Sequence, residues 1–258
     1  MRLHVHEWGD PAAPTLVCLH GITAHGGRYR RLAEERLAQR WHVVAPDLRG
    51  HGRSDYEPPW SFEQHLDDLL ETVPEDARLW VGHSFGGRIV LELAHRRPDR
   101  IERGVLLDPA LWVPPPYALR EAEAARADIS YASVAEAVEA RFAAGTVFGA
   151  RRELVEEDFR EHLVEGGDGR FRLRVSRSAV VAGWGEMSRM PPQEPLGVPL
   201  LVVRALRANV CPPELLDPYR ETAGALLEAV TVPGGHIVMW DAPDETADAI
   251  ESWFSAAP

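Results

Sequence analysis

The sequence contains no lysine, only two cysteines and no long apolar run. All 28 basic residues are therefore arginine, and with 40 acidic residues the formal net charge is −12. Nucleic-acid binding depends on clusters of basic side chains, so this charge balance argues against a nucleic-acid partner. Residues 1–8 lack the apolar core of a signal peptide, and no segment is apolar for long enough to cross a membrane. We therefore expect a cytoplasmic protein with no membrane partner.

The few candidate metal and disulfide ligands are scattered. Cys18 lies in an apolar run and Cys211 in a proline-rich loop, and neither has a partner at the spacing of a disulfide or zinc motif. Both are predicted to be free thiols. His4 and His6 share one face of a predicted strand, but no cysteine or carboxylate cluster nearby in the sequence completes a metal site. The sequence therefore predicts no metal.

The composition is that of a globular domain, with 45% hydrophobic and 26% charged residues. Short apolar, β-favouring runs alternate with helical patterns, and this alternation predicts a mostly parallel sheet with helices on both faces. The predicted strands cover 15–19, 42–45, 79–81, 105–107, 199–203 and 229–232. The predicted helices between and after them cover about 28–39, 61–73, 87–97 and 244–254.

The alternation stops between residues 111 and 195. This stretch follows Leu111, contains three consecutive prolines at its start and is rich in helical patterns over 117–128 and 133–143. Its Gly166–Gly169 segment is interpreted as a turn between helices. We therefore predict an α/β core made of residues 1–110 and 196–258, with residues 111–195 inserted as a helical cap.

Ser84 is the predicted nucleophile. It lies between Gly82 and Gly86 in a Gly-x-Ser-x-Gly turn that follows a predicted strand and precedes a predicted helix. Small residues on both sides let the chain bend sharply beneath an exposed serine. The N–H groups at the start of that helix point toward the serine, so the Phe85 amide is the predicted first oxyanion donor. Ile22, in the turn after the strand at 15–19, is the predicted second donor.

Four motifs in this order resemble the α/β-hydrolase superfamily. They are His20-Gly21, the segment Pro46-Asp47-Leu48-Arg49-Gly50-His51-Gly52-Arg53-Ser54, the turn around Ser84, and Gly235-His236. The resemblance covers nearly the whole chain outside the cap. It implies the α/β-hydrolase fold, a structural role for the loop at 47–54 and a catalytic base at His236. His20 and His83 are instead interpreted as residues that do not act as the base.

The position of the catalytic acid departs from the family pattern. The loop after the strand at 199–203 commonly carries it, but here that loop has no carboxylate, and Asn209 occupies about the expected place. Some relatives take the acid from the end of the preceding strand, where Asp108 lies in this sequence. Asp108 is therefore the predicted acid. Glu214 and Asp217 remain alternatives, as does a histidine oriented only by Asn209.

Apolar residues of the cap suggest a substrate pocket. Trp112 and Trp184 are the predicted substrate-binding residues. Phe142, Phe148 and Met187 are further candidates for the pocket lining. The sequence thus predicts a serine hydrolase that cleaves a small, hydrophobic, uncharged ester or lactone without a cofactor. Two alternatives stay open: hydrolysis of a carbon–carbon bond in a diketone, and a weakly active or non-catalytic ligand-binding protein. The sequence does not indicate the oligomeric state.

Overall fold

A computed structural model describes residues 1–255. Its strands are β1 (Val5–Trp8), β2 (Thr15–Leu19), β3 (His42–Pro46), β4 (Leu79–His83), β5 (Arg103–Leu107), β6 (Leu163–Glu165), β7 (Phe171–Leu173), β8 (Leu200–Ala205) and β9 (Leu227–Val232). All but β6 and β7 form one seven-stranded sheet in the order β1-β3-β2-β4-β5-β8-β9. Only β1 pairs antiparallel with its neighbour, and the other pairs are parallel.

The helices are α1 (Arg30–Glu35), α2 (Phe62–Thr72), α3 (Phe85–Arg96), α4 (Pro115–Ala124), α5 (Val134–Ala143), α6 (Arg152–His162), α7 (Arg177–Met187), α8 (Pro213–Ala223), α9 (Val238–Asp241) and α10 (Pro243–Ser255). Two of them begin with a serine cap: the Oγ of Ser61 accepts from the Gln64 amide, and that of Ser133 accepts from the Glu136 amide. The predicted helix at 28–39 is shorter than expected, because 3₁₀ turns flank α1 on both sides.

The sheet is buried on both faces. Along β2, Leu16 and Cys18 belong to one hydrophobic cluster and Val17 and Leu19 to the other. This alternation follows from the two-residue period of a strand, and a sheet covered on both sides needs apolar residues at every position. The short apolar runs in the sequence therefore correspond to central strands. The α/β-hydrolase fold class predicted from the sequence is confirmed.

Residues 111–195, called the cap stretch below, lie between β5 and β8. They contain α4 to α7 and a small hairpin formed by β6 and β7. The interpretation of Gly166–Gly169 as a turn between helices was wrong. This segment connects the two hairpin strands, and the Gly166 amide donates to the Arg170 carbonyl across the turn. The hairpin strands are three residues each, too short for their alternation to show in the sequence.

Cys18 and Cys211 are both buried free thiols, as predicted. Burial raises the pKa of the Cys18 thiol above its usual range and that of Cys211 to about 12. None of the helices formed by residues 1–255 is long and apolar enough to span a bilayer.

Candidate active site

Ser84 lies at the sharp turn between β4 and α3. Its backbone has φ 55° and ψ −114°, a strained conformation for a residue that is not glycine. The flanking glycines are required by contact with other backbone atoms. A Cβ on Gly82 would lie 2.3 Å from the Gly86 carbonyl oxygen, and a Cβ on Gly86 would lie 2.4 Å from the Leu19 carbonyl oxygen. The turn therefore exists only with this glycine pattern.

Two backbone amides are available beside Ser84. Neither the Phe85 N–H nor the Ile22 N–H donates a hydrogen bond to any acceptor within residues 1–255. Phe85 is the first residue of α3, where the helix leaves its amides unpaired. A hydrogen bond fixes the carbonyl end of the Ile22 residue, since its carbonyl oxygen lies 2.6 Å from Nε2 of the buried His51. Both predicted oxyanion donors are thus free of other partners.

His236 contacts Asp108 directly. Its Nδ1 lies 2.7 Å from Oδ2 of Asp108, whose side chain is fully buried. The other carboxylate oxygen of Asp108 accepts from the Ala205 amide at 3.0 Å. His236 and Ser84 line the same cavity, and Nε2 of His236 makes no hydrogen bond within the described part of the chain. One imidazole nitrogen is therefore held by a carboxylate and the other is free toward the cavity.

Asp108 reaches His236 because of where β5 ends. It follows Leu107 with φ 37°, a left-handed conformation that Asp adopts more readily than most residues. Its amide donates to the Val203 carbonyl of the neighbouring strand β8. Asn209, Glu214 and Asp217 have no hydrogen bond to His236 among residues 1–255. Glu214 and Asn209 line the cavity, and Asp217 pairs with Arg220.

Two further residues support His236 and were not predicted. Nε2 of His83 donates to the His236 carbonyl at 2.8 Å, and burial lowers the pKa of His83 well below its usual value, so its ring is neutral. Asp241 accepts from the Gly235 amide at 2.8 Å and, through its other oxygen, from the amides of residues 148–150 in the cap stretch. The contacts of His83 with His236 and of Asp241 with residues 148–150 join segments far apart in the sequence, so no local pattern predicts them.

A cavity of about 820 Å³ is lined by Ser84 and by residues of the core and the cap stretch. Four of the pocket residues considered from the sequence line this cavity: Trp112, Trp184, Phe148 and Met187. Phe142 does not. It packs against the hydrophobic cluster that also contains Ala137 and Val138, with the Arg152 guanidinium 5.8 Å from its ring centroid. Helical spacing alone did not distinguish the two faces of α5.

The histidines outside this cavity have structural partners. His20 braces its turn as expected: its Nδ1 donates to the Gly21 carbonyl at 2.8 Å, and its Nε2 accepts from the Leu48 amide at 2.9 Å. His6 lies beside two carboxylates, although neither is near it in the sequence. Its Nε2 is 3.1 Å from Asp47 and its Nδ1 is 3.5 Å from Glu161. Both carboxylates come from distant segments of the chain.

The cluster of His6, Asp47 and Glu161 neither supports nor contradicts the prediction that the protein binds no metal. Asp47 also accepts from the amides of Gly26 and Arg53. Burial alone would raise the pKa of Asp47, but His6 and these contacts hold that pKa well below its usual range. Glu161 accepts from Arg30. Hydrogen bonds within the protein therefore account for the arrangement.

A serine on a strand-to-helix turn and a histidine paired with a carboxylate, all at the carboxyl ends of a mostly parallel sheet, are the features of an α/β hydrolase. The family model described as alpha/beta hydrolase fold matches residues 14–243. The chain belongs to the alpha/beta hydrolase family.

The relatives of this chain include lipases and other hydrolases. Lipase LipV of Mycobacterium tuberculosis strain H37Rv is 34% identical over 255 residues, which cover 97% of each chain. The mouse sn-1-specific diacylglycerol lipase ABHD11 is 28% identical, over 96% of this chain and 83% of its own. The solved structure of E-2-(acetamidomethylene)succinate hydrolase has a TM-score of 0.85 and 26% identity, over 98% of this chain and 95% of that one.

Proposed function

We propose that the protein is a serine hydrolase that cleaves a small, largely hydrophobic ester or lactone through an acyl-enzyme. The observation that carries this proposal is the 2.7 Å contact between His236 and Asp108 at the cavity that Ser84 lines. A serine hydroxyl is a weak nucleophile until a positioned base removes its proton. The names of LipV and ABHD11, both lipases, agree with an ester substrate.

The proposed mechanism has two half-reactions. Ser84 Oγ attacks the scissile carbonyl while His236 Nε2 takes its proton, and Asp108 stabilises the imidazolium that forms. The Phe85 and Ile22 amides hold the negative oxygen of the tetrahedral intermediate. His236 then gives the proton to the leaving alcohol, which departs from the acyl-enzyme. Water activated by the same histidine releases the acid, so these steps use no metal or organic cofactor.

An ester or lactone is favoured over an amide because an alkoxide leaving group asks less of the acid catalyst. The carbon–carbon alternative would use the same nucleophile and base, and no side chain in the cavity favours it specifically. The non-catalytic alternative was motivated by the missing acid after β8. Because Asp108 contacts His236, the missing carboxylate after β8 no longer favours the non-catalytic alternative.

A fluorophosphonate probe tests the proposal, because it labels only serines activated as nucleophiles. We expect stoichiometric labelling of the wild type at Ser84, and none of Ser84→Ala. Hydrolysis of p-nitrophenyl butyrate should be lost in the same variant. A folded wild type that takes no label and turns over no short ester would instead favour the non-catalytic ligand-binding protein.

A further inference from the structure

Three arginines, Arg28, Arg141 and Arg207, line the cavity that Ser84 also lines, although the cavity is otherwise mostly apolar. Arg28 follows the oxyanion turn in the core, and Arg141 lies near the end of α5 in the cap stretch. The chain as a whole carries a net charge of −12. Positive charge at this cavity therefore stands out from the rest of the protein, and a guanidinium group removed from water needs a compensating partner.

Arg28 has its charge balanced by an acid. Its Nε and Nη2 donate to the two oxygens of Asp158 at 3.2 and 2.9 Å, and all of these groups are buried. His25 approaches the same carboxylate at 3.0 Å. Burial alone would raise the pKa of Asp158, but Arg28 and His25 hold that pKa far below its usual range. Nη1 of Arg28 has no hydrogen bond within residues 1–255.

Arg141 has no such acid. Within residues 1–255 no side chain or carbonyl forms a hydrogen bond or ion pair with its guanidinium, which lies 5.8 Å from the ring centroid of Phe159. Burial lowers the pKa of Arg141, and the positive charge of Arg28 lowers it further. Asp158 acts in the opposite direction. With two arginines and one aspartate, this group carries one uncompensated positive charge.

The other charged side chains at the cavity do not neutralise the positive charge left by Arg28, Arg141 and Asp158. Glu121 pairs with Arg120 at 2.9 Å. Glu214 and Arg207 are exposed on the loop and helix that follow β8, where water screens their charges. A single negative charge placed between Arg28 and Arg141 would complete the balance. A carboxylate matches one guanidinium fork geometrically and carries one charge, whereas a phosphate monoester brings nearly two.

We propose that Arg141, together with Nη1 of Arg28, binds a carboxylate of the substrate, so that the preferred substrates are half-esters of dicarboxylic acids. This inference rests on the proposed ester hydrolysis and sharpens its substrate class. The apolar lining would contact the chain between the two carboxyl groups, and Ser84 would attack the esterified one. The expectation of an uncharged substrate is revised accordingly.

The test compares phenyl half-esters of glutarate, adipate and pimelate with neutral esters of the same shape, in which an isopropyl group replaces the carboxylate. Phenyl hydrogen adipate is thus paired with phenyl 6-methylheptanoate, and phenol release is measured. We expect kcat/KM for at least one half-ester to exceed that of its neutral partner by about tenfold or more. Equal or lower values for all three half-esters would overturn the inference.

Single substitutions test whether Arg141 causes the preference for half-esters. Arg141→Met should lower kcat/KM for the preferred half-ester by at least about tenfold, mainly through KM, and change the neutral ester by less than about threefold. Arg141→Lys should recover part of the preference. Arg160→Met removes the same charge from an exposed position of α6 and should leave both substrates unchanged. Equal losses for both substrates in Arg141→Met would indicate a structural role and contradict the proposal.

Failure of this inference can be told apart from failure of the proposed function. If Ser84 is labelled and neutral esters are cleaved without any half-ester preference, only the carboxylate subsite is wrong. If no ester is cleaved, calorimetry with adipate still tests the subsite. Binding to the wild type and to Ser84→Ala, weakened by about tenfold in Arg141→Met, supports it, and no binding to the wild type refutes it.

Discussion

The edge of the sheet that carries Ser84, Asp108 and His236 and the cap stretch of residues 111–195 are constructed differently. At the sheet edge, short backbone segments fix the groups: Ser84 and Asp108 both have positive φ, at 55° and 37°, and they end the adjacent strands β4 and β5. Parallel strands that end side by side bring Ser84 and Asp108 together, and His236 joins them through its contact with Asp108.

The cap stretch is held by contacts of long sequence separation. Three arginines of residues 28–31 pair with acidic residues of α6: Arg28 with Asp158, Arg30 with Glu161 and Arg31 with Glu157. The last two pairs are partly or largely exposed and contribute little, whereas the Arg28 pair is buried. We therefore expect changes at the sheet edge to act on kcat, and changes in the cap stretch to act on stability and KM.

The largest predicted effect is at the sheet edge. Asp108→Asn keeps the shape of the side chain but removes the charge that stabilises protonated His236. In the serine protease where this exchange was made, turnover fell about 10⁴-fold. We expect a loss of similar order in kcat for p-nitrophenyl butyrate, with KM nearly unchanged.

Asn209→Ala is the matched control, because Asn209 lies about where the family pattern expects the acid and makes no hydrogen bond with His236 within residues 1–255. Its kcat should stay within about threefold of the wild type. A near-normal rate in Asp108→Asn combined with a large loss in Asn209→Ala would reverse the assignment of the acid.

The second prediction concerns the attachment of the cap. Asp158→Asn leaves Arg28 buried without its counter-charge, and breaking a buried pair costs about 3 kcal/mol or more. Urea unfolding at pH 7 should show this loss in the free energy of unfolding. Glu156→Gln, which removes an exposed partner of Arg160, should cost less than about 0.5 kcal/mol. Equal effects of the two changes would contradict the role given to the buried pair.

The Asp158 effect should depend on pH. Because its pKa is lowered in the folded state, the carboxylate stabilises the fold above its unfolded pKa of about 4, and this contribution is lost as pH falls below that value. The difference between wild type and Asp158→Asn should therefore be largest at neutral pH and shrink below about pH 4. A difference that grows toward acid pH would contradict the sign.

Asp241 links the two regions, since it holds the Gly235 amide beside His236 and three amides of the cap stretch. Asp241→Asn removes the charge and one acceptor oxygen, which loosens the loop that carries His236. We expect kcat to fall about tenfold, because small misplacements of a catalytic group are costly. Asp244→Asn, at an exposed position of α10, should have no such effect. An unchanged kcat in Asp241→Asn would show that the loop is held by other contacts.

The smallest predicted effect lies in the cavity lining. Trp184→Leu removes part of the apolar wall and should raise KM for phenyl hexanoate about fivefold, with kcat unchanged. Phe142→Leu is the control, because Phe142 packs away from the cavity. A KM change of the same size in Phe142→Leu would mean that repacking of the cap, not contact with substrate, sets KM.

The sequence was most informative where a local constraint produced a local pattern. The glycines around Ser84 are dictated by backbone contacts, so the motif predicted the turn, the strand before it and the helix after it. Asp108 could be nominated because some relatives carry the acid at the end of the corresponding strand. The choice between Asp108 and Asn209 depended on which reaches His236, a contact across 128 residues that no local pattern encodes.

The cap was predicted less completely for the same reason. Helix α5 was predicted from the sequence, but the hairpin of β6 and β7 and the orientation of Phe142 were not. The pairing of Arg28 with Asp158 spans 130 residues. Such contacts decide which arginine is left without an acid, so Arg141 had no signal in its own segment.

The most direct test of the central claim is to trap the acyl-enzyme. Rapid mixing of the wild type with p-nitrophenyl butyrate, followed by acid quenching and peptide mass analysis, should show a butyryl group on the peptide that contains Ser84, formed in a burst with p-nitrophenolate. Ser84→Ala should show neither. Turnover of the ester by the wild type without acylation of Ser84, or undiminished turnover by Ser84→Ala, would contradict the account.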